Sequence, residues 1–174
     1  DFTPGDSLAV RSSNGFYHIG DINLRVRIVD TKNWKSYSTA KERHPVLPLR
    51  ATGDTLAAAD LAPTLPSDIP LSISRYWQII NGQLTLRFVL KNISGKNVEI
   101  GAAGFPMVFN NILSGSLEQA HAKNVFYDPY IGMDAGYLQV SRLTGLSPTL
   151  LVLPYHHTPF EAYQPLLDDP TPRG

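Results

Sequence analysis

The chain has 174 residues, a formal net charge of +0 and no cysteine. A balanced charge argues against a phosphate-neutralising nucleic-acid surface, and the lack of cysteine excludes disulfides, thiolate metal sites and a cysteine nucleophile. Hydrophobic residues make up 43% and charged residues 17%, a globular composition at a length that suits one domain.

The chain opens at Asp1, which reads as a removed leader or an internal boundary. The first strong periodicity follows at residues 22–29. Ile22, Leu24, Val26 and Ile28 alternate with Asn23, Arg25 and Arg27, the period of two expected of a half-buried strand. The arginines would face solvent or a neighbouring domain. Asp21, Asp30 and Asp54 sit beside strand ends or glycine and read as turn residues.

Residues 44–70 hold Pro45, Pro48, Pro63, Pro66 and Pro70. Proline fixes φ and removes a donor, so this stretch is expected to be an extended connection over a sheet surface. Within it Leu56–Leu61 reads as a single helical turn.

Ile73 to Ile80 is rich in β-branched and aromatic residues. Asn81-Gly82 follows, then Gln83 to Leu90. Asn-Gly tolerates the positive φ angles of a type I′ turn, so the two runs predict a hairpin. Leu84, Leu86, Phe88 and Leu90 would share one face, and Gln83, Thr85 and Arg87 the other. Either Tyr76 or Trp77 must face outward, as packing for a neighbouring domain or as a platform for a sugar ring.

Further strands are expected at Val98–Ile100, Met107–Phe109, Tyr137–Leu143 and Leu150–Leu153, separated by glycine and proline. Ser116-Leu117-Glu118-Gln119 resembles a capping box opening a helix of about two turns that ends near Asn124. The expectation is an all-β fold, an antiparallel β-sandwich with one or two short helices, over residues 1–164. Residues 165–174, with Pro165, Pro170 and Pro172, read as a linker or tail.

Chemistry is sparsely marked. No Gly-x-Ser-x-Gly elbow and no phosphate-cradling glycine loop occurs, so kinase, nucleotidase and dehydrogenase readings are poor; no cofactor and no catalytic residue is assigned. Tyr155-His156-His157 precedes Glu161. Adjacent histidines on a strand point to opposite faces and cannot easily share a metal; in a turn they could, with Glu161 completing the site, but the helix spacing of a metal motif is absent and no metal is expected. The two remaining readings are a hydrogen-bonded polar loop and a sugar-contacting loop. Asp128 and Asp134 lie six residues apart, flanking Tyr130 and Gly132. They read first as turn carboxylates and second as acids near a carbohydrate. The candidate carbohydrate contacts are therefore Asp128, Tyr130, Asp134, Tyr155, His156, His157 and Glu161. Asn92-Ile93-Ser94 is a glycosylation sequon, which would place the chain in the secretory pathway. No apolar run approaches 18 residues, so no membrane partner is expected.

Two stretches carry a family resemblance. Leu84 to Asn92, with Val98-Glu99-Ile100-Gly101 and Gly104-Phe105-Pro106-Met107, resembles galactose-mutarotase-like supersandwich domains. Asp128-Pro129-Tyr130-Ile131-Gly132, Gly136 to Val140 and Leu150 to Ala162 resemble fungal and bacterial proteins related to six-hairpin glycosidases. The resemblance implies a secreted, supersandwich-like portion preceding an α/α toroid that carries the catalytic acids. The expected partners are then a carbohydrate and a C-terminal catalytic domain or companion fragment. A stand-alone lectin-like module is the alternative. A small sugar epimerase and a purely structural domain rank below both.

Overall fold

The structure is a computed structural model that describes residues 9–12, 15–41, 44–109, 124–127, 138–142 and 150–155. It is all-β. Thirteen strands are described: β1 (Ala9–Ser12), β2 (Gly15–Ile19), β3 (Asn23–Ile28), β4 (Lys35–Ser38), β5 (Leu47–Pro48), β6 (Thr55–Asp60), β7 (Leu71–Ile80), β8 (Gln83–Asn92), β9 (Val98–Gly104), β10 (Met107–Phe109), β11 (Asn124–Tyr127), β12 (Leu138–Arg142) and β13 (Leu150–Val152). One 3-10 turn spans Ala62–Thr64. Every strand pairing described in register is antiparallel.

The chain divides into two compact units. The first comprises Asp1–Val10 and His18–Met107, the second Arg11–Tyr17 and Val108–Gly174. The first unit holds two sheets, with strand orders β4-β3-β9 and β5-β6-β7-β8. The second contains β11, β12 and β13 as a three-stranded sheet, and β1, β2 and β10 form another three-stranded sheet.

The two sheets of the first unit form a sandwich. Ile22, Leu24, Val26 and Tyr37, from β3, β4 and the residue before β3, join Ala59, Leu71 and Ile73 from the other sheet, and Leu61 just after β6, in one buried cluster. Phe88, Leu90 and Val98 pack at its margin. The alternation predicted for residues 22–29 becomes β3, with Leu24 and Val26 inside and Asn23 and Arg25 outside. β3 and β7 each offer one side chain in two to the core, which is the pattern of a sheet covered on one face.

The hairpin is the longest element. β7 and β8 pair from Leu71↔Asn92 to Ile80↔Gln83 around a two-residue loop. Asn81 has φ 52° and Gly82 φ 76°, so both loop positions are left-handed, as a type I′ turn requires. Ile73, Arg75 and Trp77 are buried along one face of β7. The cross-strand register places Leu90, Phe88 and Leu86 beside them.

Two expectations are corrected. Leu56–Leu61 is not a helical turn: Thr55–Asp60 is the strand β6, paired with β7 from Thr55↔Gln78 to Asp60↔Ser74. Its three alanines have high helix propensity, but pairing beside the long β7 fills the ladder of that strand, and tertiary hydrogen bonding overrides propensity. Residues 44–70 are accordingly more than a connection. They supply β5 and β6, and the 3-10 turn starts at Ala62-Pro63, where proline occupies the first turn. The helix expected from Ser116 lies outside the described residues up to its end, where Asn124–Tyr127 is strand.

Candidate functional site

Six of the seven expected carbohydrate contacts, Asp128, Tyr130, Asp134, His156, His157 and Glu161, lie outside the described residues. Tyr155 follows β13 and is 48% exposed.

Asn92 closes β8 at an exposed position. Its side chain organises the following turn. The Ser94 N–H and Ser94 Oγ donate to Asn92 Oδ1 at 3.0 and 2.8 Å, and Asn92 Nδ2 donates to the Lys96 carbonyl at 2.6 Å. This is an Asx turn, in which the amide replaces a backbone partner. Gly95, at φ 68°, takes the left-handed position the turn needs. The sequon is thus exposed, with its hydroxyl bonded to its own asparagine.

The outer face of the β4-β3-β9 sheet carries a constellation that the sequence pattern did not single out. Trp34 precedes β4 and lies on β9. A side-chain carbon added at Gly101 would come within 2.6 Å of its ring, so glycine is what lets the indole rest on the strand. The pairing of β3 with β9 slips between Arg25 and Val26, which leaves Gly101 as the extra residue of a bulge. Arg27 and Arg25 place their guanidinium carbons 4.5 and 5.2 Å from the Trp34 ring centroid, within cation–π range. Arg27 also pairs with Glu99 at 2.7 Å. The result is an aromatic ring fixed on a sheet and flanked by two cations. The sequence did hold a clue, since outward arginines two residues apart need something to lie against, and Gly101 stands in the Val-Glu-Ile-Gly stretch.

Inside the sandwich lies a polar group of three side chains, Asp21, Thr39 and Arg75. Thr39 Oγ1 donates to Asp21 Oδ1 at 2.8 Å and accepts from the Ile22 N–H at 3.0 Å. Arg75, 4% exposed, donates from Nη1 to the Gly20 carbonyl at 2.9 Å. Burial lowers the Arg75 pKa below the usual guanidinium value, partly offset by the charge of Asp21. Gly20 is at φ 136°, and an added side-chain carbon would meet Arg75 Nη1 at 3.0 Å. These contacts tie the entry to β3 onto β7 and read as structural. Asp21, expected as a turn residue beside a strand end, is a buried member of this network. Asp30, at φ 77°, does sit in a turn. Trp77 faces the core and Tyr76 the opposite side of its sheet.

Among the described residues, no three histidine, aspartate or glutamate side chains gather in a way that would hold a metal ion. No described helix is long and apolar enough to cross a membrane. Neither the curated proteins nor the solved structures give a match to the chain. One family model does match, over residues 1–174, and its description is a family of unknown function, DUF5695. With the match running from end to end, the all-β chain belongs to that family.

Proposed function

We propose that this chain is the non-catalytic β-sandwich portion of a secreted glycoside hydrolase. In this reading it packs on a catalytic α/α toroid supplied by other sequence and helps to shape a carbohydrate cleft. The observation that carries the proposal is where the resembling stretches fall. The supersandwich-like stretch becomes β8, β9 and the start of β10, in an antiparallel all-β chain. The glycosidase-related stretch includes β12, β13 and the exposed Tyr155. Hydrolysis would follow the two-carboxylate scheme, with the acids on the toroid. Asp128, Tyr130, Asp134, Tyr155, His156, His157 and Glu161 remain the proposed cleft contacts, and Asn92 the proposed glycan site. The intact mass of the natural protein, denatured and native, tests this. A larger polypeptide or a copurifying helical fragment with polysaccharide-cleaving activity is expected. A natural protein consisting of this chain alone, with no hydrolase in its company, would sink the proposal.

The second reading is a free-standing carbohydrate-binding module, and Trp34 favours it. Its indole lies on the outer face of a sheet, half-buried beside two guanidinium groups, and an indole can stack on the apolar face of a sugar ring. Trp77 is buried, so any saccharide-dependent change in tryptophan emission reports Trp34. Titration with neutral and acidic oligosaccharides, repeated on Trp34→Ala, separates the readings. A saturable emission change in the natural protein, with the binding heat seen by calorimetry lost in the variant, supports the module.

A further inference from the structure

The β8 strand ends its sheet. Among the described strands the order β5-β6-β7-β8 has nothing beyond β8, which runs for ten residues, Gln83–Asn92, without a proline. A long open edge is a template for another strand. Which backbone groups it offers follows from the hydrogen bonds of β7. The Ile73 carbonyl accepts from Leu61 and the Ile79 N–H donates to Asp54, both on the β6 side. Odd-numbered residues of β7 therefore face β6, and its even-numbered residues bond β8. Their partners in β8 are Gln83, Thr85, Arg87, Val89 and Lys91. The N–H donated by Ile93 to Pro70 continues the same alternation. The groups left on the outer edge belong to Leu84, Leu86, Phe88 and Leu90.

The two faces of that edge differ in chemistry. On the core face Leu84 is 46% exposed, and Phe105, stacked on Phe88 at 5.6 Å between centroids, is 48% exposed. Apolar surface there extends past the cover of the opposite sheet. On the other face the outward side chains of β8 include Arg87 and Lys91 and no acid. Asp60, which shares that face, stands two strands away and accepts from the Ala62 N–H. A second copy of β8 would bring only further cations to this edge.

We propose that the free edge of β8 binds an extended partner strand whose side chains alternate apolar and acidic. Its backbone would bond the N–H and C=O groups of Leu84, Leu86, Phe88 and Leu90. Its apolar side chains would continue the core face beside Leu84 and Phe105. Its carboxylates would stand beside Arg87 and Lys91. This is β-strand addition, in which the main chain gives affinity and alternate side chains give selectivity. The proposal is independent of the carbohydrate reading, since it concerns a protein segment.

The probe is a capped nonapeptide of alternating glutamate and valine, with a lysine–valine peptide as control. Hydrogen exchange on the full chain reads the site residue by residue. The glutamate peptide should slow exchange at Leu84, Leu86, Phe88 and Leu90. Arg87, Val89 and Lys91, already bonded to β7, should change little. Cross-strand charge pairs contribute roughly 0.2–1 kcal/mol each, so two pairs should favour the glutamate peptide over the lysine peptide by about 2- to 30-fold. Arg87→Glu with Lys91→Glu, both exposed, should reverse that order. Equal protection by both peptides, no protection by either, or a preference unchanged in the double variant would each overturn the proposal. So would a concentration-dependent dimer that protects the same four amides without a peptide.

Discussion

The two ends of the β7–β8 hairpin share one register and one alternation, yet they live in different surroundings. At the open end Ile73 is 1% exposed and sits under the β3 strand's cluster. At the turn Leu84, on the same face, is 46% exposed. The strands do not change between those points; what changes is whether the opposite sheet is still above them. Alternation decides which side a residue faces, and the partner layer decides what that facing is worth.

Mutation separates the two ends of the hairpin, and the largest effect should come from the covered end. Ile73→Ala deletes a fully buried side chain and should cost about 2–5 kcal/mol by transfer and cavity terms together. Urea denaturation measures it, and a loss below about 1 kcal/mol would mean that the two sheets are not packed as described. Next comes the buried polar group beneath β3. Thr39→Val keeps the shape but leaves the Ile22 N–H and Asp21 Oδ1 without this partner. About 1–3 kcal/mol should be lost, and Thr39→Ser should recover most of it. If serine behaves like valine, the hydroxyl is not what matters.

Smaller changes belong to the open end and the outer face. Leu84→Ala should lower stability by about 1 kcal/mol or less, because much of the side chain already meets water. A cost matching that of Ile73→Ala would erase the distinction between the two ends. Smallest of all, Arg27→Gln should cost about 0.2–1 kcal/mol, since its bridge to Glu99 is partly exposed and screened. High salt should shrink that difference, and a salt-independent loss would point instead to the contact with Trp34.

The hairpin was the most legible part of the sequence. Asn81-Gly82 names a turn by its backbone requirement, and the flanking alternation fixes the register without help from elsewhere. β3, β9, β10, β12 and β13 were legible for the same local reason. The strand β6 was not, because Leu-Ala-Ala-Ala carries no β-branched residue and becomes a strand only when β7 lies beside it. Trp34 was not legible as a site either. Its meaning depends on a bulge that brings Gly101 under the ring from 67 residues further along the chain. Of the expected cleft residues, Tyr155 alone lies among the described residues, and it is exposed.

By itself the sequence determined the class of the fold and the facing of its clearest strands. Period-two alternation and turn chemistry act over a few residues, and a strand cannot move its apolar side chains to the other face without slipping register. Only the tertiary structure decided which strands are neighbours, that Asp21, Thr39 and Arg75 are buried, that Trp34 lies flanked by two arginines, and that β8 ends its sheet among the described strands. Each of these depends on residues far apart in the chain meeting across a core, and such meetings are set by packing and hydrogen-bond closure rather than by local pattern.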